Sequence, residues 1–300
     1  MRLLPALRPW GGVWKRGRGL ASTLAPIHPS VSAVSDCKLI LPSSSSSLDD
    51  RGAGGRVWGG QLMLDLDMAA LIVASRHCRA GTELDSVGVD GVAPPVTAAI
   101  DDVIVERPVR VGQVMNVTAS LTRVWGSSME VEVVVEGEDI TKPEWGRWPV
   151  LKSHATFVAL DAATGKPCEV APLTPPESEM DERRFEEAEQ RKTARALRRN
   201  RNLPWSPNGS FFLEPPIFGK EMPEQNTSQM DARTPAESFV QITETIFATH
   251  TNSRGTAFGG QILAWGGMAT AISAGRHCTR RLEVRVAARH GRFTSSGLMD

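Results

Sequence analysis

Two glycine pairs, Gly59-Gly60 and Gly259-Gly260, are the residues best placed to do chemistry, because each opens an apolar, alanine-rich run. Such a run predicts a helix, and the first turn of a helix presents N–H groups that the helix itself cannot satisfy. Glycine lets a ligand or a second backbone come close to those donors. Donors so placed could hold a carbonyl and stabilise the oxyanion that develops as water attacks it. A glycine pair taken alone serves equally well for tight packing of a helix on a sheet. Asp65 and Asp67 interrupt the first run. A carboxylate on an otherwise apolar helix needs a partner or a raised pKa, and such carboxylates cluster at functional sites. A capped or solvent-touching aspartate is the plainer reading. The four cysteines, Cys37, Cys78, Cys168 and Cys278, lack the spacing of a zinc site and are too sparse for a disulfide framework. No metal is expected, and a reducing compartment fits.

The elements that position these groups occur twice. Gly59-Gly60-Gln61-Leu62 returns as Gly259-Gly260-Gln261-Ile262, and Arg76-His77-Cys78 returns as Arg276-His277-Cys278, both at an offset of 200 residues. Shared landmarks at one offset, with similar filling, mark an internal duplication. Leu62, Met63, Leu66, Ala69, Ala70, Ile72, Val73 and Ala74 cover most of the first helix's circumference. A helix apolar nearly all round is surrounded by protein. Strands are expected at 38–41, 100–106, 111–125, 129–137 and 150–160, and at 237–247 before the second helix. Gly126-Ser127-Ser128 supplies a turn. Glu130, Glu132 and Glu136 alternate with Val131, Val133 and Val135, which predicts one wet strand face. Strand, buried helix, then several antiparallel strands is an α+β architecture, a sheet wrapped around one long central helix. Thr174-Pro175-Pro176-Glu177 reads as a capped start for a linker helix with an acidic front and a basic back. That helix is expected to be solvated, and 203–235 to be an irregular linker.

Basic and acidic residues balance at 34 each, so no global field favours nucleic acid or an anionic membrane. No stretch has the length and apolarity of a membrane span. The first 35 residues carry Arg2, Arg8, Lys15, Arg16 and Arg18 and no acid, which reads as a mitochondrial or plastid transit peptide. A cytoplasmic location is the alternative. The expected organisation is a leader over 1–35, one domain over 36–175, a linker over 176–236 and a second, partial domain over 237–300.

The stretch His250-Thr251-Asn252-Ser253-Arg254-Gly255-Thr256-Ala257-Phe258-Gly259-Gly260 resembles the loop-to-helix signature of hotdog acyl-CoA thioesterases. GGQILAW, RHC, Thr97-Ala98-Ala99-Ile100-Asp101-Asp102, Val111-Gly112-Gln113-Val114, Ser127-Ser128-Met129-Glu130-Val131 and Ala155-Thr156-Phe157-Val158 extend the likeness. It is nearest to the double-hotdog acyl-CoA hydrolases that carry a START domain, here without a START-like segment. The resemblance implies a hotdog fold, hydrolysis of acyl-CoA to free acid and CoA, no cofactor beyond the CoA of the substrate, and homo-oligomers through hotdog pairing. It also implies an active site at the interface between two hotdogs. Asn252 matches the family's loop Asn; the same position in copy one is Gly52, and Asp50 is a weaker loop candidate. Asp67 matches an acidic helix position whose counterpart in copy two is Gly267. One composite site follows: Asn252 orienting water or the thioester, Asp67 as general base, and the Gly260 N–H holding the oxyanion. Gly60, Gly259, Thr97, Ser127 and Ser128 are candidates for contact with substrate or CoA. Arg76 and His77 suit the negative end of their helix, with CoA contact as the alternative.

Two departures from the family pattern stand out. A serine run, 43–47, lengthens the loop before the first glycines, and little after Cys278 matches. The second copy is therefore expected to be truncated, which favours an acyl-CoA-binding or oligomerising fragment as the competing function. A hotdog dehydratase would want a helix His near the glycines, and neither helix has one.

Overall fold

The computed structural model describes residues 24–44, 55–80, 92–101, 103–200, 238–252, 255–277, 287–288 and 291–292. Along the chain these form β1 (Val34–Leu39), α1 (Gly59–Ala80), β2 (Val92–Ile100), β3 (Val103–Ile104), β4 (Val114–Trp125), β5 (Ser128–Glu138), β6 (Arg147–Asp161), α2 (Glu179–Asn200), α3 (Gly259–His277), β7 (Ala287–Ala288) and β8 (Gly291–Arg292).

The core forms where the sheet curls over α1. Six strands in the order β1-β4-β5-β6-β2-β8 pair antiparallel throughout. Alternate residues of the long strands turn inward: Met115, Val117, Ala119 and Leu121 of β4, Met129, Val131, Val133 and Val135 of β5, and Ala155, Phe157 and Ala159 of β6. They meet Leu62, Met63, Leu66, Ala70, Val73 and Ala74 of α1, all buried. Each large apolar side chain so buried contributes roughly 1.5–3 kcal/mol. This is the sheet wrapped around one helix that the residue pattern predicts, and the hotdog fold that the resemblance implies. α3 packs against α1, burying Gly259, Gly260 and Ala264 while Ile262 and Ile272 stay open.

Several expectations need correction. The first strand runs over Val34–Leu39 rather than 38–41, because an edge strand can carry exposed Ser35, Asp36 and Cys37 on its open side. Ordered structure reaches further back still: the Ile27 N–H donates to the Pro172 carbonyl, and Thr174 donates to the Ile27 carbonyl. The strand expected at 100–106 is instead β2, which contains Pro94 and Pro95, followed by the two-residue β3. Prolines argue against a strand, but these lie within a register shift between Ala93 and Val96, where the ladder does not use their missing N–H groups. No strand forms at 238–247 among the described residues, although the sequence alternates there. Alternation yields a strand only beside a ladder partner. β7 and β8 pair with copy one instead, keeping one register through Ile104↔Ala287, Val103↔Ala288, Ile100↔Gly291 and Ala99↔Arg292.

The linker helix starts later than Thr174 and is not simply solvated. Ser178 caps α2, its Oγ accepting the Asp181 N–H at 3.2 Å and donating to the Asp181 carboxylate at 2.6 Å. The predicted wet face of β5 is covered by this helix: Glu130 and Glu132 are both buried. Glu130 accepts from Arg191 at 2.8 Å, from Arg195 at 2.8 Å and from Thr122 at 2.8 Å. Glu132 meets Lys152 at 2.7 Å, His154 at 3.3 Å and Arg184 at 3.6 Å. The alternation of Glu with Val does mark two faces, but the outer face is a charge layer beneath a helix.

Candidate functional site

A single carboxylate joins the two copies. Asp67 lies on α1 two turns beyond Gly60, its side chain wholly buried. One oxygen, Oδ2, accepts the N–H of Gly260 at 2.6 Å; the other, Oδ1, accepts the Thr97 hydroxyl at 2.9 Å. Three distant segments therefore converge: the middle of α1, strand β2, and the N-terminus of α3. The close approach explains the glycine. A Cβ on Gly260 would stand 2.9 Å from the Met63 carbonyl oxygen and 3.0 Å from Leu64 Cα, both backbone atoms that cannot swing aside. Gly260→Ala is accordingly expected to cost roughly 1–3 kcal/mol of stability and to separate α3 from Asp67, which a urea titration alongside an activity assay would measure.

Burial dominates the electrostatics at Asp67. It pushes the carboxyl up from 3.8 to about 6, against the lowering effect of the Gly260 and Thr97 hydrogen bonds. The positive end of the α3 dipole lies at the same N–H and also favours the anion. The balance leaves an acid poised close to neutral pH, where proton transfer in either direction is inexpensive.

Asn252 sits in the turn that leads into α3. Its backbone N–H donates to the Thr256 carbonyl at 2.9 Å, and its side-chain amide bonds the Thr256 hydroxyl at 2.8 Å. Gly255, at φ +74°, supplies the left-handed conformation that lets the turn close. The loop is tied to the helix by the Phe258 N–H, which donates to the His250 carbonyl at 2.9 Å. Asp50 lies outside the described residues. The Gly260 N–H, expected to face an oxyanion, is occupied by Asp67 in this state. Gly259 and Gly60 are inside the α1–α3 region, Gly259 buried and Gly60 covered by the indole of Trp58. α3 offers no carboxylate in return, because the position matching Asp67 is Gly267, beside which there is open space.

Of the remaining candidates Thr97 joins the site, and the others are placed elsewhere. Thr97 touches Asp67 and acts on the carboxylate; in sequence nothing links two residues 30 apart, and only the packing of β2 on α1 does so. Ser127 lies in the β4–β5 turn with Gly126, and Ser128 opens β5, its Oγ donating to the Trp125 carbonyl at 3.4 Å. Arg76 donates to the Ala33 carbonyl at 2.8 Å, tying α1 to the chain just before β1. His77 is buried, and its Nε2 lies 2.7 Å from the Ala171 carbonyl. A carbonyl only accepts, so Nε2 carries the hydrogen, and burial pushes the ring's pKa down so that it stays neutral. Both residues of that Arg-His pair thus hold structure together. Among the described residues no cluster of His, Cys, Asp or Glu could hold a metal ion, and no helix is long and apolar enough to cross a membrane.

Comparison with known proteins follows the same lines. Residues 54–144 match the Thioesterase superfamily. The chain is 36% identical over 121 residues to a Zymomonas mobilis protein named as an uncharacterized acyl-CoA thioester hydrolase, covering 40% of this chain and 70% of that protein. It is 33% identical over 220 residues to acyl-coenzyme A thioesterase 11 of Mus musculus, covering 73% of this chain and 32% of that protein. Among solved structures, an acyl-CoA hydrolase from Staphylococcus aureus in complex with butyryl coenzyme A is 27% identical, with a TM-score of 0.47 over 58% of this chain and 92% of that one. The relatives include proteins named as cytosolic and as mitochondrial. The chain spans about a third of the length of the mouse and rat thioesterases among the curated relatives it matches. The likeness to the Zymomonas protein over most of its length, together with the matched family model, makes the chain a member of the Thioesterase superfamily.

Proposed function

We propose that the chain hydrolyses acyl-CoA thioesters at one composite site, with Asp67 from copy one and the N-terminus of α3 from copy two. The observation that carries this reading is the bond from the Gly260 N–H to a buried carboxylate of the other copy. Water is deprotonated by Asp67 as its oxygen adds to the thioester carbonyl carbon, and the resulting oxyanion takes the Gly260 N–H. That exchange has a chemical consequence. The N–H bond lowers the Asp67 pKa, so giving the donor up to the oxyanion makes the carboxylate more basic as it must accept the proton. Collapse of the intermediate breaks the C–S bond, and the proton on Asp67 passes to the departing CoA thiolate. Asn252 orients the water or the thioester from the adjoining loop, with Asp50 as the weaker catalytic candidate on the loop of copy one, while Gly60, Gly259, Ser127 and Ser128 stand as contacts for the substrate.

The test is thiol release from a panel of acyl-CoA chain lengths, with Asn252→Ala beside the native chain; unchanged hydrolysis in that variant removes Asn252 from the site. Because the base must be ionised, kcat is expected to fall tenfold per pH unit below about 6. A rate flat between pH 5 and 7 would exclude Asp67 as the base.

Binding without turnover is the second reading, favoured by the openness of Ile262 and Ile272 on α3. Acyl-CoA bound stoichiometrically with no thiol released would establish it. The same open residues support a homo-oligomer through hotdog pairing, which sedimentation at several concentrations would detect. The Arg-rich, acid-free start supports a mitochondrial address, to be read from a fusion of residues 1–35 to a fluorescent reporter.

A further inference from the structure

The strand that carries Thr97 is poorly held by its own ladder. β2 contains Pro94 and Pro95 and two register shifts against β6, one of them between Thr97 and Ala99. A bulge there re-aims neighbouring side chains. On its other edge, among the described residues, β2 pairs with β8 at Ala99 and Ile100 alone. The backbone immediately past the strand is fixed differently: the Asp101 N–H donates to the His154 carbonyl at 2.9 Å, and the Asp101 carboxylate accepts Arg195 Nη1 at 2.6 Å. The same guanidinium gives Nη2 to Glu130 at 2.8 Å, with Glu130 wholly buried on β5. Arg195 itself is only 16% exposed. One planar cation thus clamps the end of β2 to the middle of the sheet through two carboxylates, a geometry that guanidinium suits and a lysine ammonium matches less well.

We propose that Arg195 is a positioning residue for the reaction: by bridging Glu130 and Asp101 it pins the end of β2 and so holds the Thr97 hydroxyl against Asp67. This rests on the reading of Asp67 as the base, but it makes its own demand. α2, which joins the two copies in sequence, reaches the reacting carboxylate through Arg195, Asp101 and β2 and touches no substrate. Arg184, one of the other cations of the same helix, meets Glu132 at 3.6 Å and is not bonded to β2 in this way. Its loss weakens the docking of α2 without entering this chain of contacts.

The experiment follows the Gly260 amide resonance in a full-length, 15N-glycine-labelled chain, since that N–H is bonded to Asp67 and reports its titration. Arg195→Met and the nearly isosteric Asp101→Asn are each expected to raise the titration midpoint by roughly half a pH unit or more, because the Thr97 bond favours the anion. Arg195→Lys shows only part of that shift, and Arg184→Met leaves the midpoint in place. In Arg195→Met and Asp101→Asn kcat falls roughly tenfold with KM little changed, as expected when a reacting group is displaced from outside the site. Native-like midpoints in both Arg195→Met and Asp101→Asn overturn the proposal, as does an equal shift in Arg184→Met. A native chain that shows the titration and its shifts but releases no thiol keeps the positioning role and discards hydrolysis; a Gly260 amide that never titrates discards both.

Discussion

Asp67→Asn is expected to lower kcat for acyl-CoA hydrolysis by roughly 10²–10⁴-fold while making the folded chain more stable at pH 8. Asparagine fills the same space between Gly260 and Thr97 but cannot take a proton. The stability effect follows from the sign of the shift. The folded-state pKa of Asp67 is raised, from 3.8 to about 6, so its contribution is fully present below pH 3.8 and is lost as pH rises through 6. At about 1.4 kcal/mol per pH unit this amounts to a penalty of the order of 3 kcal/mol at pH 8. The asparagine escapes it but can accept only one of the two hydrogen bonds, which leaves a net gain of roughly 1–2 kcal/mol. Urea midpoints at pH 8 and pH 4.5 separate these terms, since the advantage disappears where the native carboxyl is protonated. Activity within a few fold of native, or an equal stability difference at both pH values, would falsify the assignment of a buried, reacting carboxylate.

Glu130→Gln should have the largest effect on folding. Arg191 and Arg195 both direct their guanidinium groups onto this carboxylate, which is 0% exposed. Burial alone raises its pKa, but the Arg191 hydrogen bond and the charges of Arg191, Arg195 and His154 outweigh that and hold it below the usual carboxylate range. Removing the charge leaves two partly buried cations without their common partner, at a cost of about 3 kcal/mol, the lower end of what breaking a buried pair costs. The neighbouring Glu132 is pushed down to about 2, its hydrogen bonds to His154 and Lys152 outweighing burial. Both groups therefore contribute stability that is present above pH 4.5 and lost as pH falls through their folded-state values, opposite in sign to Asp67. The native chain is expected to weaken in acid, and Glu130→Gln to weaken less steeply from its lower starting point. If the variant unfolds at the native urea midpoint, the charge layer does not hold α2 to the sheet.

The positions that were legible in sequence are those whose environment is dictated by neighbours close along the chain. α1 and α3 begin at their glycine pairs as expected, and β4, β5 and β6 fall within a few residues of their alternating patterns. Period and turn chemistry are local properties, and so is a repeat. The misplaced strand around residue 100 shows the limit: Pro94 and Pro95 argue locally against a strand, and only the register of β6 makes room for them. Glu130 and Glu132 show another. An alternating glutamate reads as solvated until a helix more than 50 residues later supplies arginines to cover it.

For the site, the sequence by itself marked one candidate in each copy and left their meeting as an expectation. Asp67 appears in one copy and not the other, and the Asn252 loop has no match at Gly52. What only the tertiary structure decided is who holds whom. Burial between two helices raises the Asp67 pKa, the Gly260 N–H meets the carboxylate before any oxyanion does, and Thr97 bonds Asp67 directly. Residue type and spacing set a group's chemistry, but desolvation and hydrogen-bond partners come from segments up to 193 residues away, and those fix the proton affinity on which the chemistry depends.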